Sequence, residues 1–266
     1  MDGKERYAAD AHDLLGSVRR ALMVLEVVAA AGDGIAAKAV ARRLGLTLPT
    51  TYRLLGTLVH DGYLVRLNHS RGYGLGYKLT DLHRRLCQQL EVTPGVSGVL
   101  HQIHQDCAAP AYYTVFRDET IVVAEVVDSA AAPRAEPLGI GFHEAPHATA
   151  FGKVMLSSMS AARRRDYLRE QGLTGLTAST ITAPHVLDGH LREVRSSGVA
   201  VEVEEFMHEV SCVAAPVFDN GGEVAGAVAT SVPAELFAPR RRQLEATVRA
   251  GAARVSRLLA AGAATS

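Results

Sequence analysis

Between residues 36 and 76 the apolar positions follow a helical period twice and then switch to alternation. Ala39, Val40 and Leu44 make a short apolar face, and Gly45 follows where a helix calls for a left-handed residue just past its end. Thr47 then stands where it can cap a second helix. Pro49 falls in the first turn, whose N–H groups have no helical partner to lose. Leu48, Tyr52, Leu55 and Val59 recur at i, i+4, i+7 and i+11 and predict an inward stripe. The opposite face holds Pro49, Thr50, Arg53, Gly56, Thr57 and His60, all small, hydroxylated or basic. Residues 63–67 and 73–75 read as strands around the turn-rich residues 68–72. Helix, tight turn, helix and hairpin in that order predict a winged helix-turn-helix, a DNA-reading unit. An ordinary helical hairpin followed by a β-hairpin gives the same pattern, so further evidence has to decide.

Charge decides it. Residues 14–78 carry nine lysines and arginines against three acids, a net +6, while the whole chain is neutral and the remainder is therefore about −6. A basic head on an acidic body is the electrostatic footprint of a modular nucleic-acid binder. Thr47, Pro49, Thr50, Thr51 and Arg53 are the candidate DNA contacts on the second helix. Tyr52 is expected in the core with its hydroxyl reaching a phosphate. Arg66 and Arg71 are the candidate contacts on the wing.

Upstream, residues 1–13 are expected to be a loose arm, and Val18, Leu22, Leu25 and Ala29 predict a first helix packed behind the reading helix. Downstream, residues 79–92 are helical by period and stop at Thr93-Pro94-Gly95. This segment is the expected linker helix, with Leu82, Leu86 and Leu90 as a possible dimer seam. Helices are then predicted over 96–107, 149–159, 187–197 and 240–261. Strands are predicted over 112–116, 121–127, 199–204, 212–218 and 223–231. Hairpins with helices beside them argue an α+β domain on an antiparallel sheet. The expected division is 14–78 for DNA binding, 79–92 for the linker and 93–262 for a sensor-like domain.

The remaining bulk properties narrow the class. At 266 residues, 48% apolar and 21% charged, the chain is globular and long enough for two cores. Three scattered cysteines without a CxxC pair fit reduced thiols, and neither a membrane-length apolar run nor a signal-like start is present, so a cytoplasmic protein is expected. His143-Glu144-Ala145-Pro146-His147 spells a zinc-protease motif, but Pro146 would break the helix that the motif needs. No phosphate loop or nucleophile elbow stands out, so no catalytic residue, metal or cofactor is expected. The competing classes are a small-molecule enzyme or metal binder built on the second domain, and an architectural DNA binder without a ligand.

Several motifs in sequence order carry a resemblance. They are residues 17–22 (SVRRAL), 48–55 (LPTTYRLL), 72–76 (GYGLG), 147–153 (HATAFGK), 198–199 with 204–205, 212–217 (CVAAPV) and 231–233 (SVP). Together the chain resembles the IclR family of bacterial transcriptional regulators over roughly 245 residues. The resemblance implies a winged helix-turn-helix and a GAF-like effector domain. It also implies a homodimer or dimer of dimers on a DNA operator, controlled by a small organic acid or aromatic compound. It places effector contacts at Ala150 and Phe151, whose amides would hold a carboxylate, and at Glu202, Cys212, Ala229 and Ser231. Glutamate for a shorter aspartate, alanine for a serine and bulky Phe151 for a small residue depart from the family pattern. They favour a larger or more apolar ligand than a two-carbon keto acid.

Overall fold

The computed structural model describes residues 15–67, 72–90, 92–93 and 95–263. Arg71 and the proposed arm at 1–13 lie outside the described residues. The chain divides into two compact units between Arg85 and Leu86.

The first unit comprises α1 (Gly16–Ala29), α2 (Ala37–Leu44), α3 (Leu48–His60), β1 (Leu64–Leu67) and β2 (Gly72–Leu75), and α4 (Lys78–Gln89) begins within it. Gly45 ends α2 in the left-handed region at φ 62°, and Thr47 caps α3 by accepting the Thr50 amide. β1 and β2 pair antiparallel, and Ile35 adds a short third edge through two hydrogen bonds with Tyr73, of 3.0 and 2.9 Å. Gly76 closes the wing where a side chain is impossible, since a Cβ there would stand 2.1 Å from the Gly62 carbonyl oxygen.

Two predicted stripes are corrected. On α1 the buried residues are Val24 and Val28, whereas Val18 and Leu22 are exposed. The small core reaches only the last turns of α1, so the first turns have nothing to pack against. On α3 the inward face runs through Leu48, Thr51, Leu55 and Leu58, and Tyr52 is 49% exposed. Thr51 replaces Tyr52 inside because its hydroxyl donates to the Thr47 carbonyl at 3.0 Å, so burial leaves no polar atom unpaired.

The second unit is a five-stranded antiparallel sheet in the order β4-β3-β7-β6-β5, built from β3 (Ala111–Arg117), β4 (Thr120–Val127), β5 (Ala200–Val203), β6 (Val210–Phe218) and β7 (Val224–Pro233). One face is covered by α5 (Val96–Cys107) and α9 (Ala234–Ala263), the other by α6 (Ala150–Ser158) and α8 (Pro184–Ser197). Alternate residues of each strand feed the two cores: Val213, Ala215 and Val217 face α9, while Cys212 and Ala214 face α6. Leu86 and Leu90 at the end of α4 pack into the first of these cores, which corrects the proposed leucine seam; only Leu82 remains exposed. Helix α7 (Ala161–Gln171) was absent from the sequence expectations. Six of its eleven residues are charged and it buries only Tyr167, so it carries no apolar stripe to detect.

Candidate functional site

The outer face of α3 presents Pro49, Tyr52, Arg53, Gly56, Thr57 and His60 to solvent, with Thr50 half-buried at its edge. Thr47 and Thr50 share a hydroxyl hydrogen bond of 2.8 Å, and Thr57 donates to the Arg53 carbonyl. The Arg53 guanidinium meets no acidic side chain among the described residues, which leaves its donors free for a partner. Arg66 stands on β1 with its guanidinium 5.8 Å from the centre of the Tyr73 ring, stacked but still exposed. Of the predicted DNA contacts, Thr51 is the one the structure removes: it is fully buried and points at Thr47. Tyr52, expected in the core, joins the outer face instead.

The second site is built inward from α6. Thr149 caps this helix, its hydroxyl taking the Gly152 amide at 3.2 Å and its carbonyl the Lys153 amide at 2.9 Å. The amides of Ala150 and Phe151 are left as the helix's unpaired donors, at the positive end of its dipole. Gly152 lets the helix press against the preceding loop, because a Cβ would stand 2.2 Å from the Pro146 carbonyl oxygen. The next residue, Lys153, is completely buried and forms an ion pair with Glu205. Burial pulls the Lys153 ammonium below its usual range, and Glu205 opposes that shift.

A polar row crosses the sheet beneath this helix. Glu202 pairs with Cys212 and Cys212 with Ser231 in strand register, so the three side chains stand side by side across the sheet. Ser231 Oγ lies 2.9 Å from the Tyr112 hydroxyl, which extends the row to a fourth strand, β3. Glu202 Oε2 accepts the Glu205 amide at 2.9 Å, but Oε1 has no partner. Burial pushes the Glu202 carboxyl up to about 7 and the Cys212 thiol far above its ordinary value. Ala229 sits in the same layer, paired in register with Tyr112 and Ala214, and contributes no polar atom.

Aromatic rings close the site. Phe151 lies 6.4 Å from Tyr112 and meets Phe142 edge-on at 6.3 Å, and Phe142 meets Phe206 edge-on at 5.4 Å. The structure thus brings Ala150, Phe151, Glu202, Cys212, Ala229 and Ser231 into one buried layer. Glu202 is buried although it stands on the edge strand β5. Tyr112, Phe142 and Phe206 were missed, because loop and strand aromatics carry no local signal of what they face. Lys153 had a signal: a lysine one turn inside an otherwise apolar and small-residue helix start.

The zinc-like motif resolves into a loop, with Ala145 at φ 45°. His143 is exposed and bonded to the Gly141 carbonyl, whereas His147 is buried with Nε2 donating to the Thr174 carbonyl at 3.0 Å. Burial also holds the His147 imidazole below its usual pKa. Among the described residues no three histidine, cysteine or carboxylate side chains gather to hold a metal, and no helix is long and apolar enough to cross a membrane.

Residues 17–67 match the IclR helix-turn-helix domain, and residues 85–257 match the C-terminal domain of the bacterial transcriptional regulator IclR. The regulator KdgR of Escherichia coli is 29% identical over 234 residues, covering 85% of this chain and 87% of its own. The glycerol operon regulatory protein of Streptomyces griseus is 28% identical over 249 residues, covering 92% and 97%. The crystal structure of Thermotoga maritima IclR superposes with a TM-score of 0.75 at 22% identity, covering 91% of this chain and 98% of that one. An IclR homologue from Microbacterium hydrocarbonoxydans, solved with 4-hydroxybenzoate, shares the fold with a TM-score of 0.71 at 18% identity, covering 92% and 99%. With a reading unit and a C-terminal unit matched in the same order, this chain belongs to the IclR family of bacterial transcriptional regulators.

Proposed function

We propose that the protein reads a DNA operator with α3 and the wing, and that a small organic acid or aromatic carboxylate bound in the second unit controls that reading. The observation that carries it is the buried layer under α6, where two unpaired helix amides and an unpartnered Glu202 oxygen share one apolar, aromatic enclosure. Unpaired buried polar groups cost stability, and a ligand with an anionic and a hydrogen-bonding end would satisfy them. Thr47, Pro49, Thr50, Tyr52, Arg53, Arg66 and Arg71 are the DNA-facing group in this reading. Ala150, Phe151, Glu202, Cys212 and Ser231 line the effector site, with Ala229 as its apolar floor.

The protein works in the cytoplasm as a homodimer or dimer of dimers, without catalysis. Two-fold symmetry sets half-sites about one helical turn, or a multiple, apart. Effector binding shifts the pairing of subunits through α4. A coupling on the order of 1–3 kcal/mol suffices for control. Residues 14–78, 79–92 and 93–262 are the corresponding functional segments.

A mobility-shift titration against DNA upstream of the protein's own gene, at stated salt and with a panel of organic acids, tests the reading. A competitor-resistant shift with a symmetric footprint, altered by one acid class, supports it. Ala150→Asp places a carboxylate at the anion position; it abolishes the effector response and leaves operator affinity intact. An unaltered response in that variant excludes the α6 site.

A further inference from the structure

None of the six residues assigned above to the effector site exposes more than 4% of its surface. A ligand reaches them only if some covering segment moves. The connection between α7 and α8, residues 172–183, is that segment: it holds no helix or strand, and it is hydrogen-bonded to the residues beside the buried layer. Thr177 donates its hydroxyl to the Glu204 carbonyl at 2.5 Å, and Thr180 donates to the Glu205 carbonyl at 2.6 Å. Thr180 also accepts the amides of Leu176 and Thr177, at 3.0 and 2.9 Å. At the other end His147 holds the Thr174 carbonyl. Glu205 itself carries the ion pair to Lys153 and donates its amide to Glu202, so the strap is fastened to a residue that bonds directly to the site. Thr174, Gly175, Leu176, Ala178 and Ser179 are exposed, so hydroxyl hydrogen bonds hold this central stretch, while Leu173 and Ile181 on either side of it pack against the core.

At the base of the strap lies an open cavity of about 620 Å³ between α7 and α8. Leu168, Leu173 and Pro184 line its apolar part, and Arg164, Arg165, Arg169 and Asp188 its charged part, with Arg169 also 3.0 Å from Asp166. Leu168 and Leu173 pack against the same core as Phe151. Arg164 is fixed by Asp188 at 2.9 Å and by the Met159 carbonyl at 3.0 Å. Arg165 meets no acidic side chain among the described residues. An arginine-flanked apolar mouth concentrates organic anions before they enter a closed, low-dielectric site.

We propose that the cavity between α7 and α8 is the mouth of the effector site and residues 172–183 its gate, admitting an apolar organic carboxylate past Arg164, Arg165 and Arg169. The proposal rests on the effector reading, but its test needs no effector. Cys212 lies on the floor of the site, and Cys107 is equally buried on the opposite face of the sheet. Alkylation of the two thiols in the full-length protein, followed by peptide mass spectrometry, separates gate opening from general unfolding. The probes are iodoacetamide and its anionic counterpart iodoacetate.

Thr180→Val removes the central fastening and is expected to speed Cys212 alkylation on the order of tenfold, leaving Cys107 unchanged. Thr177→Val gives a smaller rise of the same kind. Arg165→Glu slows iodoacetate several-fold but not iodoacetamide, and high salt erases the difference. Equal acceleration of both cysteines, or no change at Cys212 in either threonine variant, overturns the gate. Loss of the iodoacetate selectivity from the unaltered protein overturns the arginine mouth. Failure of the effector reading shows separately, as an operator complex indifferent to Ala150→Asp.

Discussion

The two units use polar residues in opposite ways. On α3 the Tyr52 hydroxyl and the Arg53 guanidinium stand outside the core, where water satisfies them and the fold is indifferent to their identity. Beneath α6 the polar residues Lys153, Glu202, Glu205, Cys212 and Ser231 are inside, with Lys153 paired to Glu205, the Glu205 amide bonded to Glu202, and Ser231 bonded to Tyr112. A surface reader can change its sequence preference one residue at a time without touching stability. A buried site cannot, because every polar group there is a structural liability unless a partner satisfies it. The reading unit is therefore tunable, whereas the sensing unit changes only by coordinated substitution.

The strongest test of that contrast is Lys153→Met. Removing one partner of a buried ion pair leaves the other charge uncompensated and costs about 3–5 kcal/mol, and the second unit bears the loss. Denaturant unfolding followed by hydrogen exchange should show α6 and β5 opening while α2 and α3 stay protected. Pairing it with Glu205→Leu should recover most of the stability, since a matched apolar pair of similar volume replaces the ions without leaving a charge. If Lys153→Met is as stable as the parent, the buried pair is not the device argued here.

Glu202→Gln probes the same unit through pH. A carboxyl raised to about 7 in the folded chain binds its proton more tightly there than in the unfolded chain. Stability from this group is therefore full below the unfolded value near 4.5 and falls as pH rises to about 7. The cost at pH 8 is on the order of 3 kcal/mol for a shift of this size. Lys153 above it, Glu205 and Cys212 beside it, and His147 and His190 nearby share the surrounding field. Glutamine keeps the oxygen for the Glu205 amide and removes the titration, so the variant gains stability at pH 8 and little at pH 5. By the same sign, an anionic effector binds the parent more weakly as pH rises through about 7, and binds the variant without that dependence.

Sequence periodicity exposed nearly every element of both units, because caps and breakers such as Gly45, Thr47 and Thr149 act locally and leave a local mark. It rotated α1 and α3 by about one residue, because which side of a helix is inner depends on what it meets, not on its own pattern. Thr51 and Tyr52 exchanged faces for that reason: a threonine that bonds backward to Thr47 is as easily buried as a leucine. In the second unit the family motifs located the polar layer, but the Lys153–Glu205 pair joins residues 52 positions apart. Neither residue's neighbours in sequence announce the other. Helix α7 went unseen for want of an apolar stripe, and the strap was invisible because loop threonines look alike until their partners are placed.

On the reading side, Arg53→Ala should weaken operator binding by about 1–3 kcal/mol if the guanidinium reads a base edge, with specificity relaxed at one base pair. If it meets only phosphate, all sequences weaken alike and the slope of log K against log salt falls by about one. Either result leaves thermal stability unchanged, unlike Lys153→Met. An unchanged footprint and affinity would show that the reading face is not this side of α3.

The smallest effect argued here lies between the two regimes. Thr47 is exposed, yet its side chain accepts the Thr50 amide and its carbonyl accepts the buried Thr51 hydroxyl. Thr47→Ala removes only the first of these, since the carbonyl remains. The loss is that of one helix cap, about 1 kcal/mol, and for a unit of this size it shifts the midpoint of thermal unfolding by roughly 4–8 °C. Thr47→Asp restores a cap acceptor and should recover that stability, while placing a negative charge at the tip of α3 where phosphates would approach. Stability and DNA affinity then move in opposite directions in a single variant, as Thr47 requires if it supports both the helix start and the DNA face. If Thr47→Asp recovers stability and binds the operator as tightly as the parent, the N-terminus of α3 lies away from the backbone, and the DNA-facing group begins at Tyr52 and Arg53 instead.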